Sequence, residues 1–399
     1  MHTNLSAIDR KLKRNIIIQS VMRLARGDCW LVGGYIRDLL IRERKIRRPV
    51  DLDFILDTPP QKLARALREK FGGTIVSLRE ESIVRLVLPK GDVIDLSLID
   101  QDITRDLKSR DFTINAIAWR PIDGFTDPTG GIDDLRMKRI RHISAKNLKA
   151  DPLRLIRAYR FRSLSGFSID HDTRKAIKRL SSLSSCPANE RITYELIRIL
   201  SELHYIKALK EAAEDSVLTS ITGLSRAALM ENIRTIGRVE KRKGRVSAKW
   251  LREGIGQEMD NSIALRLSTL LLGSNADNLS LNRAYYERLR NINTYLADFK
   301  ALRSSDREGI FRLLMSAGVA YIDMALISDK KWALKEYIRY FRQLRQPFVN
   351  AKELMESYGV EKGPEIGKTL RAIEKERFIG KLSKKVLLSR CTQDNLRLL

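Results

Sequence analysis

The chain has 399 residues, 43% of them hydrophobic, which is enough for a large core shared between more than one domain. Its formal net charge of +26 exceeds what solubility asks for and points to a polyanionic partner, either nucleic acid or an anionic membrane surface. No apolar run approaches the roughly 20 residues that span a bilayer, and the basic segment 1–14 has no signal-like hydrophobic stretch. The three cysteines, Cys29, Cys186 and Cys391, lack zinc-ligand spacing, so a reducing, cytoplasmic setting is expected.

The first third alternates short β-like runs with helical patterns. Asp28 to Val32 reads as a strand, Gly33-Gly34 as a turn, and Tyr35 to Ile41 as a short helix. Val50 to Leu56 alternates apolar and polar residues, as a strand with one wet face does, and Thr58-Pro59-Pro60 stops it. Gln61 to Phe71 has helical spacing and is capped by Gly72-Gly73. Three more strands are expected at Thr74 to Leu78, Ser82 to Leu88 and Asp92 to Leu98, the last two joined by a turn at Pro89 to Gly91. Together they predict a small α+β unit with a mostly antiparallel sheet. From about Lys149 onward strand signals are absent and the chain reads as helical, with no repeats.

Asp51-Leu52-Asp53 places two carboxylates on one face of a strand, because side-chain direction alternates with period two. Phosphoryl transfer asks for such groups: two divalent ions about 3.5–4 Å apart can hold an attacking and a leaving oxygen, and carboxylates hold the ions. An Asp-x-Asp is common on solvated strands, and its context here gives it weight. It follows Gly33-Gly34-Tyr35-Ile36-Arg37-Asp38, where two glycines let backbone N–H groups approach a triphosphate at the start of a helix whose dipole favours anions. Arg37 is placed to reach the same phosphates; Asp38 either caps and orients or serves as a salt-bridge partner. Asp95, between the apolar Ile94 and Leu96, is the candidate third carboxylate, the alternative being an ordinary exposed strand residue.

Within the helical part, Lys331 to Gln346 puts Leu334, Ile338 and Phe341 on one face and Lys331, Lys335, Arg339 and Arg342 on another. The basic stripe is either a solvated face or an RNA-backbone contact, and the run Lys241-Arg242-Lys243-Gly244-Arg245 has the same two readings. With the overall charge, RNA contact is favoured for both.

Leu31-Val32-Gly33-Gly34-Tyr35-Ile36-Arg37-Asp38 with Asp51-Leu52-Asp53 resembles the first motif of the class II tRNA nucleotidyltransferase and bacterial poly(A) polymerase family, part of the polymerase-β-like superfamily. Four further segments match in order: Arg110 to Ala118 (RDFTINAIA), Asp127 to Leu135 (DPTGGIDDL), Asp151 to Phe161 (DPLRLIRAYRF) and Glu190 to Leu196 (ERITYEL). The resemblance implies a polymerase-β-like head (1–140), a base-selecting neck (141–205), a helical body (206–330) and a helical, RNA-binding tail (331–399). It also implies two Mg²⁺ ions on Asp51, Asp53 and Asp95, CTP and ATP as substrates, tRNA as the acceptor, and a grip by Arg110 and Asn115 on the triphosphate and sugar. Gly130, Gly131 and Leu135 of the third motif either take part or shape a linker.

Asp151 and Arg154 lie three apart, so on a helix they share a face. An ionised Asp only accepts hydrogen bonds and an Arg only donates them. Cytosine and adenine each offer an exocyclic amino donor beside a ring-nitrogen acceptor; uracil and guanine present a carbonyl where the amino group would be. The pair therefore suits C and A, with about 1–3 kcal/mol lost for each buried group left unpaired. Arg157 and Arg160 continue the stripe toward phosphate or the neck.

Two departures bear on which nucleotide is added. The family has Glu before this Asp, where it orients the Arg; here the residue is Ala150. Relatives that build the whole C-C-A end carry a long flexible segment between the third-carboxylate strand and the second motif, whereas only fourteen residues separate Asp95 from Arg110. The expectation is addition of C and/or A residues to the tRNA 3′ end, either the full C-C-A or a part of it such as C alone, in which case a second nucleotidyltransferase completes the end. The segment Tyr358 to Leu370 resembles a tail element of tRNA-end enzymes. Its Gly363 and Gly367 read either as a turn offering N–H groups to an RNA phosphate or as a structural turn. The rival expectations are a poly(A) polymerase and a non-catalytic RNA-binding protein on the same scaffold. His171-Asp172 reads as a helix start, with four histidines too few for a phosphohydrolase centre.

Overall fold

The structure is a computed structural model that describes residues 5–41, 49–79, 82–100, 102–164, 166–256, 258–358 and 363–381. Gly359 to Lys362 and Cys391 lie outside the described residues. The chain forms two compact units, Met1–Ile221 and Thr222–Leu399.

The first unit opens with two helices, α1 (Leu5–Arg14) and α2 (Ile16–Leu24), which the sequence reading left unassigned. Asn15 separates them and caps α2, its side chain accepting from the N–H groups of Ile17 and Ile18. Then follow β1 (Cys29–Val32), α3 (Gly34–Leu40), β2 (Asp51–Leu56), α4 (Pro60–Phe71), β3 (Thr74–Arg79), β4 (Ile83–Val87), β5 (Val93–Leu98) and α5 (Ile103–Ser109). Proline opens α4 and Gly72, at φ 72°, ends it. Two short strands missed in the sequence, β6 (Ala118–Arg120) and β7 (Gly124–Thr126), complete a seven-stranded sheet in the order β3-β4-β5-β2-β1-β6-β7.

The β2–β5 pair is parallel and every other neighbouring pair in that sheet is antiparallel. Leu52, Phe54 and Leu56 of β2 are buried on one face. The other face carries Asp51, Asp53 and Ile55, and only Ile55 joins a core, with Trp30, Val32, Leu107, Ala116 and Ala118. The two carboxylates therefore emerge at the strand's N-terminal end, beyond the apolar cluster that seats α5.

Helices α6 (Gly131–Arg136), α7 (Ala145–Ala150), α8 (Leu153–Arg162), α9 (His171–Leu180), α10 (Asn189–Leu200) and α11 (Tyr205–Glu214) follow. His171 does open a helix, capped by Asp170. Two very short pairings depart from the all-helical expectation, Arg139–Ile140 with Ser168–Ile169 and Gly254–Gly256 with Met259–Asp260.

The second unit is otherwise helical, around a core that includes Leu265, Phe299, Phe311, Tyr321 and Phe378. Arg288 lies buried there, paired with Asp323 at 2.6 and 2.7 Å. The expected apolar face of Lys331–Arg345 is corrected: Ile338 is 57% and Phe341 36% exposed, while Ala333, Leu334, Tyr340 and Gln343 are buried. Aromatic and amide contacts to the helix Pro364–Ile379 turn the helix: Gln343 donates to Glu374, and the Tyr340 and Phe378 rings meet edge to face. The run 241–245 is also largely engaged within its own unit. Lys243 is buried on Glu240, and Arg245 pairs with Asp329. No described helix is long and apolar enough to cross a membrane.

Candidate active site

The turn between β1 and α3 brings backbone against the carboxylates. Gly33 has φ +78°, and a Cβ there would lie 3.1 Å from Asp53 Oδ2 and 3.3 Å from an Arg110 guanidinium nitrogen. Both the left-handed backbone and the missing side chain are needed for this approach. Asp53 is half-buried, Asp51 beside it is exposed, and the parallel register sets Asp53 directly opposite Asp95. Burial first, then the neighbouring Asp95 and Asp51 charges, push the Asp53 carboxyl up to about 6, with Arg110 and Arg85 opposing. Like charges held that close fit a cation between them.

Asp95 itself is engaged. Arg85 on β4 forks onto it with bonds of 2.8 and 2.7 Å, an arrangement set by the β4–β5 register, which pairs the two residues. Among the described residues no group of three carboxylate, His or Cys side chains is disposed to hold a metal ion. The donor set that fits divalent ions is accordingly Asp51 with Asp53, and Mg²⁺ commonly binds through one or two carboxylates, keeping its other positions for phosphates and water.

These groups open into a polar cleft of about 540 Å³. Gly33, Gly34, Arg37, Asp51, Asp53, Arg110, Asn115, Asp151, Arg154, Arg157 and Arg160 all line it, and Asp95 does not. Several of the cations are already committed. Arg37 is buried and donates to Asp38 (2.8 and 2.9 Å) and to Asn115 Oδ1 (2.7 Å). The Asn115 amide donates in turn to Asp111 (2.9 Å), and Asp111 pairs with Arg157 at 2.8 Å. Burial alone would raise the Asp111 pKa, but Arg157, Asn115 and the Phe112 N–H outweigh it and hold the group ionised. Arg110 donates to Asp106 and to the Asn115 carbonyl. Asp38 is thus found as a salt-bridge partner, one of its two expected roles.

Asp151 is not on the helix, as the three-residue spacing suggested. Pro152 follows it, α8 starts at Leu153, and Asp151 lies in an extended backbone conformation. It still comes within 4.0 Å of Arg154. Arg191 of α10 donates to the same carboxylate oxygen, Oδ2, at 3.1 Å. The Arg154 guanidinium is held by the carbonyls of Ser109 (2.8 Å) and Asn147 (3.2 Å). Two backbone acceptors therefore fix the orientation of the Arg154 guanidinium. Arg160 is bound to Glu195 at 3.1 Å. Burial, and crowding by Arg157, Arg37 and Arg198, pull it down to about 10.

The sequence reading missed several residues of the site: Arg85, Asp111, Arg191 and Glu195, together with Phe161, whose ring lies 4.7–5.9 Å from the guanidiniums of Arg37, Arg157 and Arg160. Counting back from the Pro89–Gly91 turn would have set Arg85 opposite Asp95; the others depend on contacts distant in sequence. Tyr194, 45% exposed and beneath Arg198 at 5.8 Å, also lines the cleft.

In the second unit Lys331, Lys335, Arg339 and Arg342 are all exposed, and Arg339 also reaches the Phe378 carbonyl at 3.3 Å. Gly363 precedes the helix Pro364–Ile379, but Gly367 lies inside that helix rather than in a turn.

Residues 29–98 and 89–141 match the family described as Poly A polymerase head domain, and residues 166–222 match Probable RNA and SrmB-binding site of polymerase A. The chain is 33% identical over 190 residues to the CC-adding tRNA nucleotidyltransferase of Synechocystis sp., covering 47% of this chain and 45% of that protein. It is 34% identical over 194 residues to the A-adding tRNA nucleotidyltransferase of Deinococcus radiodurans, covering 49% and 43%. It spans about half the length of the curated relatives it matches. The Thermotoga maritima CCA-adding enzyme complexed with tRNA superposes with a TM-score of 0.75 at 22% identity, over 98% of this chain and 100% of that one, which shows a shared fold.

Proposed function

We propose that the chain is a member of the class II tRNA nucleotidyltransferase and poly(A) polymerase family, as the matches over residues 29–141 and 166–222 support, and that it adds C residues from CTP to the 3′ end of tRNA, releasing pyrophosphate. The observation that carries this reading is the Asp51–Asp53 pair set against Gly33, in the same cleft as Asp151 and Arg154. The RNA 3′ hydroxyl attacks the α-phosphate of the nucleotide. Asp51 and Asp53 would hold the Mg²⁺ ions, which supply charge neutralisation at the transferring phosphate. The Gly33-Gly34 turn and Arg110 face the triphosphate. Arg37 and Asn115, tied to one another, keep that turn in register with the base-reading side. Asp95, clamped by Arg85, acts on Asp53 through its charge.

Asp151 accepts from the exocyclic amino group of the base and Arg154 donates to the adjacent ring nitrogen, which rejects U and G. Restriction to C is supported by the short stretch from Asp95 to Arg110, only fourteen intervening residues with seven of them in α5, and by the name of the Synechocystis relative. A separate A-adding enzyme would then finish the end. Residues 1–140 serve as the catalytic head and 141–205 as the neck. Residues 206–330 and 331–399 serve as body and RNA-binding tail, with Lys331, Lys335 and Arg342 available to phosphates. Free thiols at Cys29 and Cys186 suit a cytoplasmic site of action.

Labelled CTP and ATP, offered separately to tRNAs ending at the discriminator base, after one C and after two C's, test the reading. The first two acceptors should be extended by CTP to the second C and no further, and none by ATP. An A product gives the chain another member's task, an open-ended ladder makes it a poly(A) polymerase, and no product leaves it an RNA-binding scaffold.

A further inference from the structure

Helix α1 presents Arg10, Lys11 and Arg14 to solvent. Most arginines described above are paired with carboxylates. These three make no ion pair among the described residues, while their neighbour Lys13 is held by Asp9 at 2.9 Å. The three line a groove of about 370 Å³ that has no acidic residue in its walls. Lys11, Arg14, Asn15 and Tyr35 also line a second groove of about 640 Å³, joined there by Lys90 from the β4–β5 turn. The one acid of that second groove, Asp92, is buried and accepts from the Val50 N–H at 2.9 Å. Tyr35 lines the catalytic cleft and both grooves, and Val50 lines the cleft and the second groove, so the grooves border the cleft. Asn15 donates to the Tyr35 hydroxyl at 3.4 Å, which fixes the α1–α2 corner against the helix that opens from the glycine turn.

We propose that this track binds the phosphate backbone of the RNA strand whose 3′ end enters the cleft. The inference rests on the functional reading above and adds to it a nucleic-acid contact on the N-terminal helix α1. The chemistry is one of charge and spacing. Arg10 and Arg14 stand one helical turn apart, about 6 Å along the axis, and flexible cations at that interval can follow successive phosphates without reading a base. Their position just outside the acidic centre also separates the two charge environments: cations hold the chain, and carboxylates are kept for the metal and the reacting group.

The test is the triple variant Arg10→Ala, Lys11→Ala, Arg14→Ala, with Lys62→Ala, Arg65→Ala, Arg68→Ala on α4 as a control of equal charge change. All six side chains are exposed, and Leu12, the buried anchor of α1, is untouched. Affinity for a tRNA lacking its C-C-A end is measured across a salt series, with CTP incorporation alongside. Each lost phosphate contact lowers the slope of log K against log salt by about 0.7–0.9. The α1 variant should lose about two in slope and raise KM for RNA about tenfold or more, with KM for CTP and kcat at saturating RNA unchanged. An active wild-type enzyme whose α1 variant keeps its slope, or whose α4 control loses as much, overturns the proposal and leaves the functional reading standing. A wild-type chain that incorporates nothing removes both.

Discussion

Asp53→Asn should make the metal-free protein more stable, not less. In the native state the carboxyl titrates near 6, against 3.8 for an unperturbed Asp, chiefly because burial and the Asp95 and Asp51 charges disfavour its ionised form. The gap of about two pKa units corresponds to roughly 3 kcal/mol at about 1.4 kcal/mol per unit. The native state therefore binds this proton more tightly than the unfolded chain does, so its contribution to stability is present at low pH and is lost as pH rises through about 6. At neutral pH both states are ionised and the native state carries the full penalty. Asparagine has nearly the same shape and no charge. In the presence of a chelator its unfolding free energy should exceed the wild type's by about 2–3 kcal/mol at neutral pH. Close to half of that gap should be gone by about pH 5, and most by about pH 4. Urea unfolding, followed through the transition of the first unit at several pH values, measures both numbers. Added Mg²⁺ should stabilise the wild type and leave the variant where it was. An asparagine variant no more stable than wild type at neutral pH, or a gap that does not shrink on acidification, would refute the account of three crowded carboxylates.

Arg85→Ala removes the fork on Asp95; because Arg85 is partly exposed, the loss of stability in chelator should be modest, about 1–2 kcal/mol. Titration of Mg²⁺-dependent stabilisation should show a steeper metal response than in wild type, and an unchanged one would show that Asp95 does not act on the pair. Gly33→Ala places a Cβ at φ +78° within 3.1 Å of Asp53; incorporation should fall about a hundredfold by misplacement of the turn, with circular dichroism unchanged. Tyr194→Ala should raise KM for CTP about tenfold, the loss of one aromatic–base stack of about 1–3 kcal/mol. Tyr194→Phe should restore it, and a KM indifferent to both changes takes the ring out of the nucleotide's path.

What was legible locally came from periodicity and from the special chemistry of glycine and proline. The alternation at 50–56 gave β2 and the shared face of Asp51 and Asp53, and Gly72-Gly73 gave the end of α4. Asp95 was legible because it broke an apolar run. The partners were not legible: nothing in the local sequence tells Arg85 that it will fork onto Asp95, or Asp111 that it will join Asn115 to Arg157. Asp151 was misplaced because a spacing of three suggests a helix, while Pro152 disfavours helical backbone in the residue before it. Lys243 read as part of a solvent-facing patch, yet Glu240 and Ser262 receive its ammonium in the interior. Ile338 and Phe341 read as core because hydrophobic spacing cannot say which stripe of a helix a neighbour will cover.

The single parallel pair in the sheet has a consequence in time. Two parallel strands cannot be joined by a tight turn, so α4 and the β3–β4 hairpin must be made and folded back before β5 can lie against β2. As the polypeptide leaves the ribosome, Asp51 and Asp53 emerge roughly forty residues ahead of Asp95 and further still ahead of Arg110. Until those arrive, the acidic strand has no neighbour on that side and no roof. A half-made chain is therefore a poor trap for nucleotide or metal, and substrate is left to the finished molecules.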